Sequence, residues 1–132
     1  MYLKFYVASS FKNINQVRTL TNELTQMGWQ LAYDWTLNER ADSIEELQRI
    51  GLLEKAAIED SELVLIVLPG GKGTHVELGL AIAGQKKIIL YAPDHKMMDA
   101  EFSTTFYHLP EIEKCFGSIE KCIDKVKIIF PS

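Results

Sequence analysis

The chain has 132 residues, a net charge of −4 and a pI near 5.4, enough for one domain with its own core and too acidic for the basic stripe that a nucleic-acid polymer requires. Its 47% hydrophobic and 24% charged residues exclude a disordered chain as the main state. No run reaches the ~18 apolar residues of a membrane span. The opening "MYLKFYVASSF" is too short for a signal core, and Cys115 and Cys122 have no nearby His to complete a metal cluster. These features predict one cytoplasmic, soluble domain over residues 1–132, with reduced thiols, no metal, no cofactor and no membrane partner.

In chain order, residues 3–8 form a short apolar and aromatic run that reads as a buried strand, followed by the polar turn "SSFKN". Ile14, Val17, Leu20, Leu24 and Met27 recur at helical spacing, and Gly28 stands where the helix should stop. "WQLAYDW" predicts a second strand and "TLNERAD" the loop after it. Ser43 with Glu46 is a capping-box pattern that opens a helix running to about Glu59. "LVLIVL", residues 63–68, is continuously apolar, as a strand covered on both faces must be. Pro69, Gly70, Gly71 and Gly73 break it. A helix from about His75 to Ala83, a strand "KIILY", an irregular stretch over 92–113, a short strand near Cys115 and Phe116 and a last helix from about Ile119 complete the chain.

Strands and helices alternating in this way predict an α/β, three-layer fold of flavodoxin-like or Rossmann-like order, with a mostly parallel five-stranded sheet. Ligands of such sheets bind beyond the carboxyl ends of the strands, where strand order reverses. The polar and glycine-rich residues of this chain fall at those ends.

The segment "PGGKGTHVELG" carries the central ambiguity. Glycines 70, 71 and 73 permit positive φ and close backbone approach, and the helix behind them offers free N–H groups to a phosphate or carboxylate. It is neither a P-loop nor a G-x-G-x-x-G turn. "THVE" also reads as a capping box, with Thr74 as N-cap and Glu77 reaching back to its N–H, a role without chemistry. Glu77 is therefore a reactive carboxylate or a cap. His75 is a binding residue or an exposed bystander, and Trp35 beside Asp34 stacks on a base or covers the core edge.

"PGGKGTHVE" resembles the P-G-G-x-G-T-x-x-E signature of the lonely guy phosphoribohydrolases, which cleave the N-glycosidic bond of nucleoside 5′-monophosphates. "YVASSF", "GWQLAYDW" and "GTHVELGLAIAGQKKIILY" together resemble the nucleoside 2-deoxyribosyltransferase family, including its 2′-deoxynucleoside 5′-phosphate N-hydrolase members, over residues 2 to about 92. That resemblance implies a nucleophilic role for Glu77 at C1′ of the sugar and a positioning role for Tyr6. It implies that Ser9, Ser10, Gly73 and Thr74 contact a 5′-phosphate, and that a homodimer or larger assembly forms near residues 92–110, where Phe102, Phe106, Tyr107 and His108 close the pocket or meet another subunit. Two positions depart from the pattern: Glu54 stands where the family has an aspartate tied to proton delivery, and Gly71 replaces the aspartate that transferases place six residues before the nucleophile. Glu54, Asp34 and His75 are the candidates for the proton donor, in that order. Glu77 near a helix N-terminus is expected to stay ionised. The expected partner is a small nucleoside or nucleotide, cleaved or base-exchanged. The rival readings are a nucleotide-sensing module without chemistry and a flavodoxin-like cofactor carrier, the latter opposed by the poor phosphate loop "SSFKN".

Overall fold

The computed structural model describes residues 3–131; Met1, Tyr2 and Ser132, the ends of the expected domain, lie outside the described residues. The five strands are β1 (Lys4–Ala8), β2 (Gln30–Leu31), β3 (Leu63–Val67), β4 (Lys87–Ala92) and β5 (Ile112–Phe116). The helices are α1 (Ile14–Gln26), α2 (Ile44–Asp60), α3 (Lys72–Ala83) and α4 (Ile119–Ile129). All strand pairs are parallel, in the order β2-β1-β3-β4-β5, the flavodoxin-like arrangement. Helix α1 packs with α4 and α2 with α3, giving a layer on each side of the sheet.

The centre of the sheet is dry because its sequence leaves no polar alternative. Every residue of β3 is buried, and its register (Phe5↔Leu63 on one side, Leu63↔Lys87 on the other) fixes both neighbours. The stripe Val17, Leu20 and Leu24 lies buried, as its spacing predicts, while Met27 at the helix end is exposed. Gly28 takes φ +97°, the left-handed conformation that closes a helix at little cost only in glycine. Ser43 caps α2 by accepting from the Glu46 N–H at 3.1 Å. Cys115 and Cys122 are free and buried, and burial pushes the Cys122 thiol up to about 12.

Three expectations change. The strand expected over 29–35 pairs only at Gln30 and Leu31. Beyond it Asp34 accepts from the Thr36 N–H and hydroxyl, and the Trp35 indole donates to the Val7 carbonyl at 2.6 Å, so local side-chain bonds replace the ladder and make a 3-10 turn over Trp35–Leu37. Helix α3 starts at Lys72 rather than His75. The irregular stretch gives way to β5 already at Ile112, and it contains two short 3-10 turns, Lys96–Met98 and Thr105–His108.

Leu65, wholly buried in the central strand, is expected to cost about 2–5 kcal/mol when changed to Ala, whereas Leu37→Ala, at 77% exposure, should stay within about 0.5 kcal/mol. Urea unfolding of the two variants checks this.

Candidate active site

Strand order reverses at β1, since the chain steps from β1 outward to β2 and then back across to β3. Tyr6 lies on β1 with no exposed surface, and its side chain meets residues of α2 and α3. The Tyr6 hydroxyl lies 2.5 Å from Glu77 Oε2 and 3.2 Å from Glu54 Oε2. Glu77 is 8% exposed and Glu54 half-buried. Glu54 and Glu77 line a cavity of about 940 Å³, and the buried Tyr6 phenol meets both of them from behind that lining.

Glu77 is not a cap. With α3 starting at Lys72, Thr74 is the third helical residue, and its hydroxyl accepts from the Gly71 N–H at 3.3 Å. Glu77 falls one turn further on, on the same buried side, and its Oε2 accepts from Tyr6 instead of a backbone N–H. Of the two freedoms expected of the three glycines, positive φ is used by none of them. A Cβ on Gly70 would stand 2.5 Å from the Thr74 methyl, so that position needs glycine for close approach. A Cβ on Gly71 or Gly73 would meet no protein atom, and both positions line the cavity, where their bareness leaves room.

The electrostatics follow from burial. Loss of water pushes the Glu77 carboxyl up to about 8, against the pull of the Tyr6 hydrogen bond and with a further push from Glu54. Burial also raises Glu54, opposed by its hydrogen bonds to Tyr6 and Glu77. The expectation that the helix N-terminus keeps Glu77 ionised is thereby corrected, because desolvation outweighs a dipole that fades within the first turn. Tyr6 is raised above its ordinary range by burial and by both carboxylates, so it remains a phenol. A phenol has one proton to give. Facing two carboxyl oxygens, it is satisfied on both sides when one of them is protonated and the other charged. The pair therefore titrates as a unit that holds one proton between its two steps.

The other expected residues divide. Ser9, Ser10, Trp35, Gly71, Gly73 and Thr74 line the cavity; Asp34 and His75 do not. Asp34 is occupied in capping the 3-10 turn. Trp35 is a wall of the cavity and a core residue at once, 6% exposed and edge-on to Phe11. The Ser9 hydroxyl donates to the Val67 carbonyl at 2.8 Å and accepts from Asn13 Nδ2 at 2.9 Å, so its proton is already committed. Ser10 Oγ only accepts, from the Lys12 N–H, which leaves its proton available. Phe102 and Phe106 are exposed and Tyr107 is buried; none of them lines the cavity. Sequence reasoning misses Asn13, which also donates to the Pro69 carbonyl at 2.8 Å, and the cations Arg40 and Lys55, which line the same cavity. No motif marks them, since the fold alone brings their loop and helix to the glycine turn. Among the described residues no group of three or more His, Cys, Asp or Glu comes together to hold a metal. No helix there is long and apolar enough to cross a membrane.

Residues 5–125 match the family described as nucleoside 2-deoxyribosyltransferase. The chain belongs to that family. Membership supports an enzyme that acts on N-glycosidic bonds of nucleosides or nucleotides, by cleavage or transfer. The fold is similar to that of the CMP N-glycosidase BcmB of Clostridium botulinum, with a TM-score of 0.68 at 20% identity over 96% of this chain and 99% of that one. It is also similar to a conserved protein from Enterococcus faecalis, with a TM-score of 0.64 at 18% identity over 98% and 100% of the two chains. A search of curated proteins found no match.

Because the Glu77 carboxyl is raised on folding, the folded state binds its proton more tightly than the unfolded one. The stability this gives is full below the unfolded value of about 4.5 and is lost as pH climbs through about 8. Between pH 5 and 8 the wild type should lose stability relative to Glu77→Gln, which has nothing to ionise. Urea titrations across that range read the difference directly.

Proposed function

We propose that the protein cleaves the N-glycosidic bond of a nucleoside 5′-monophosphate, with Glu77 as nucleophile and Glu54 as proton donor. The observation that carries this is the Tyr6 hydroxyl set between the two carboxyls at the cavity floor, closer to Glu77 than to Glu54. The two contacts are unequal, 2.5 Å to Glu77 and 3.2 Å to Glu54, so the phenol holds Glu77 the more firmly and leaves Glu54 freer to move. Burial favours the pair's shared proton on Glu77, so the reaction draws on the other arrangement of that same proton, charge on Glu77 and a proton on Glu54.

Tyr6 holds Oε2 of Glu77 and leaves Oε1 to attack C1′. The C1′–N bond breaks as the glycosyl ester forms, and the departing nitrogen takes the Glu54 proton. Water then attacks C1′, gives a proton to the Glu54 carboxylate and frees Glu77. A second base in place of water would complete a transfer. Glu54 is one methylene longer than the aspartate of the family pattern, and its contact with Tyr6 supports the same role from a position on α2.

The 5′-phosphate reading rests on donors at the two neighbouring strand ends. The N–H groups of Lys72, Gly73 and Thr74 precede the first intrahelical bonds of α3, Ser10 has a proton to give, and Arg40 and Lys55 add positive charge to the lining. The remaining walls, Phe11, Trp35, Leu47 and Ile50 among them, suit the face of a base.

CMP, dCMP, the other monophosphates and their free nucleosides, incubated with the protein and followed by chromatography, test the reading; no base released from any of them would end it. On a confirmed substrate Glu77→Gln should lower turnover by at least ~10² while ligand still binds, since an amide keeps the Tyr6 contact but cannot attack. Near-native turnover in that variant would move the nucleophile elsewhere.

A self-associating surface accompanies the site. Ile44, Leu47, Leu52 and Leu53 on α2 are 76%, 56%, 63% and 39% exposed, and Val76 on α3 is 63% exposed. That is more apolar surface than Phe102 and Phe106 offer in 92–110, so α2 is the better contact between two copies. Leu47 and Val76 also rim the cavity, so a second copy seated there would shield it from water. Light scattering is expected to give a dimer at micromolar concentration and a monomer for Leu52→Glu. A monomeric wild type would remove this part of the proposal.

A further inference from the structure

His75 does not line the cavity, yet its ring is held at both nitrogens. Nδ1 lies 2.7 Å from the Gly71 carbonyl oxygen and Nε2 lies 2.6 Å from the Tyr107 hydroxyl. The two rings stack with centroids 5.8 Å apart and planes 26° from parallel. A carbonyl only accepts, so Nδ1 carries the proton. In the neutral ring Nε2 is then an acceptor, and Tyr107 must donate to it. Tyr107 is 1% exposed and belongs to the irregular segment between β4 and β5, so the donor is fixed by the core.

We propose that Tyr107 and His75 are positioning residues for the glycine turn: Tyr107 anchors the His75 ring at Nε2, and the ring so placed holds the Gly71–Lys72 peptide through Nδ1–H. In a trans peptide the C=O and the next N–H point in opposite directions. Holding the Gly71 oxygen therefore aims the Lys72 N–H out of the start of α3, where Gly71 and Gly73 border the cavity. Asn13 holds the same turn from the other side through the Pro69 carbonyl. Without the Tyr107 donor the His75 ring loses its anchor and can turn away from the Gly71 oxygen, its proton then free to move to Nε2. The Gly71 oxygen is left with the 3.3 Å bond from the His75 backbone N–H alone, and the turn is held less firmly. The inference rests on the phosphate reading of this turn.

Tyr107→Phe keeps the buried ring and removes only the donor. Nitrogen NMR of the three histidines, with His75→Gln to assign the signal, reports the tautomer in the free protein, and calorimetry reports binding of CMP and of cytidine. The wild type should show His75 protonated at Nδ1 and the variant a shift toward Nε2. CMP affinity should fall roughly tenfold, the size of one lost hydrogen bond, while cytidine affinity stays within twofold. A role confined to stability would lower both affinities alike. If the variant keeps the Nδ1 tautomer or its preference for CMP, the inference fails and the phosphate reading stands. If the wild type itself binds CMP and cytidine equally, the phosphate reading fails and takes this inference with it.

Discussion

The site depends on one buried phenolic proton facing two carboxyl groups. Burying a lone carboxylate costs several kcal/mol unless something bonds it or a proton neutralises it. Tyr6 bonds Glu77 and also touches Glu54, and its own raised pKa keeps its proton in place while the carboxyls exchange theirs. Three elements remote in sequence, β1, α2 and α3, have to converge for this contact to exist. The sheet order supplies the convergence, because α2 and α3 share the layer that covers β1 and β3.

How much of this was legible depends on the range over which each signal acts. The unbroken apolar run of β3, the 3.6-residue stripe of α1 and the cap at Ser43 report local preferences that the tertiary fold reinforces, and they appear where expected. The second strand was over-read. "WQLAYDW" has β composition, but Trp35 finds its hydrogen-bond partner in the Val7 carbonyl and Asp34 caps a turn, so most of the segment leaves the sheet. Tyr6, Glu54 and the choice of reactive group over cap for Glu77 come from family resemblance, since a separation of 23 positions between Glu54 and Glu77 carries no spacing rule that would pair them. Arg40, Lys55 and Asn13 have neither local pattern nor motif, and only the folded chain brings the two cations to the cavity and Asn13 to the Pro69 carbonyl.

The start of α3 shows how a small boundary change alters a chemical reading. If the helix began after Thr74, Glu77 would lie in the first turn, close to free N–H groups and a favourable dipole. With Lys72 as the first helical residue, Glu77 lies in the second turn, past the free N–H groups, and points at the sheet. Its environment changes from one that favours charge to one that opposes it. The helix start remains free to meet an anion, and the glutamate is left to Tyr6. On the proposed reading, one motif divides into a binding turn and a reactive group, separated by a helical turn.

The unequal burial of the two carboxyls also separates what each can do. Glu77 is nearly sealed, so a charge on it would be poorly solvated and, in the proposed reaction, drawn to a developing positive centre. Glu54 is only half-buried and reaches the open side of the cavity, where it can meet a departing base and exchange its proton with solvent. Reversing the roles would ask the sealed group to be reprotonated in every cycle and the solvated one to attack through its water. The same asymmetry bears on hydrolysis against transfer. If Glu54 is the proton donor of the proposed reaction, the occupant of the cavity beside it, water or a second base, determines the product. The apolar rim of Leu47 and Val76 controls how much water is there. On the proposed reading, a rim left open to water goes with hydrolysis, and a rim covered by a second copy over α2 goes with transfer to a base.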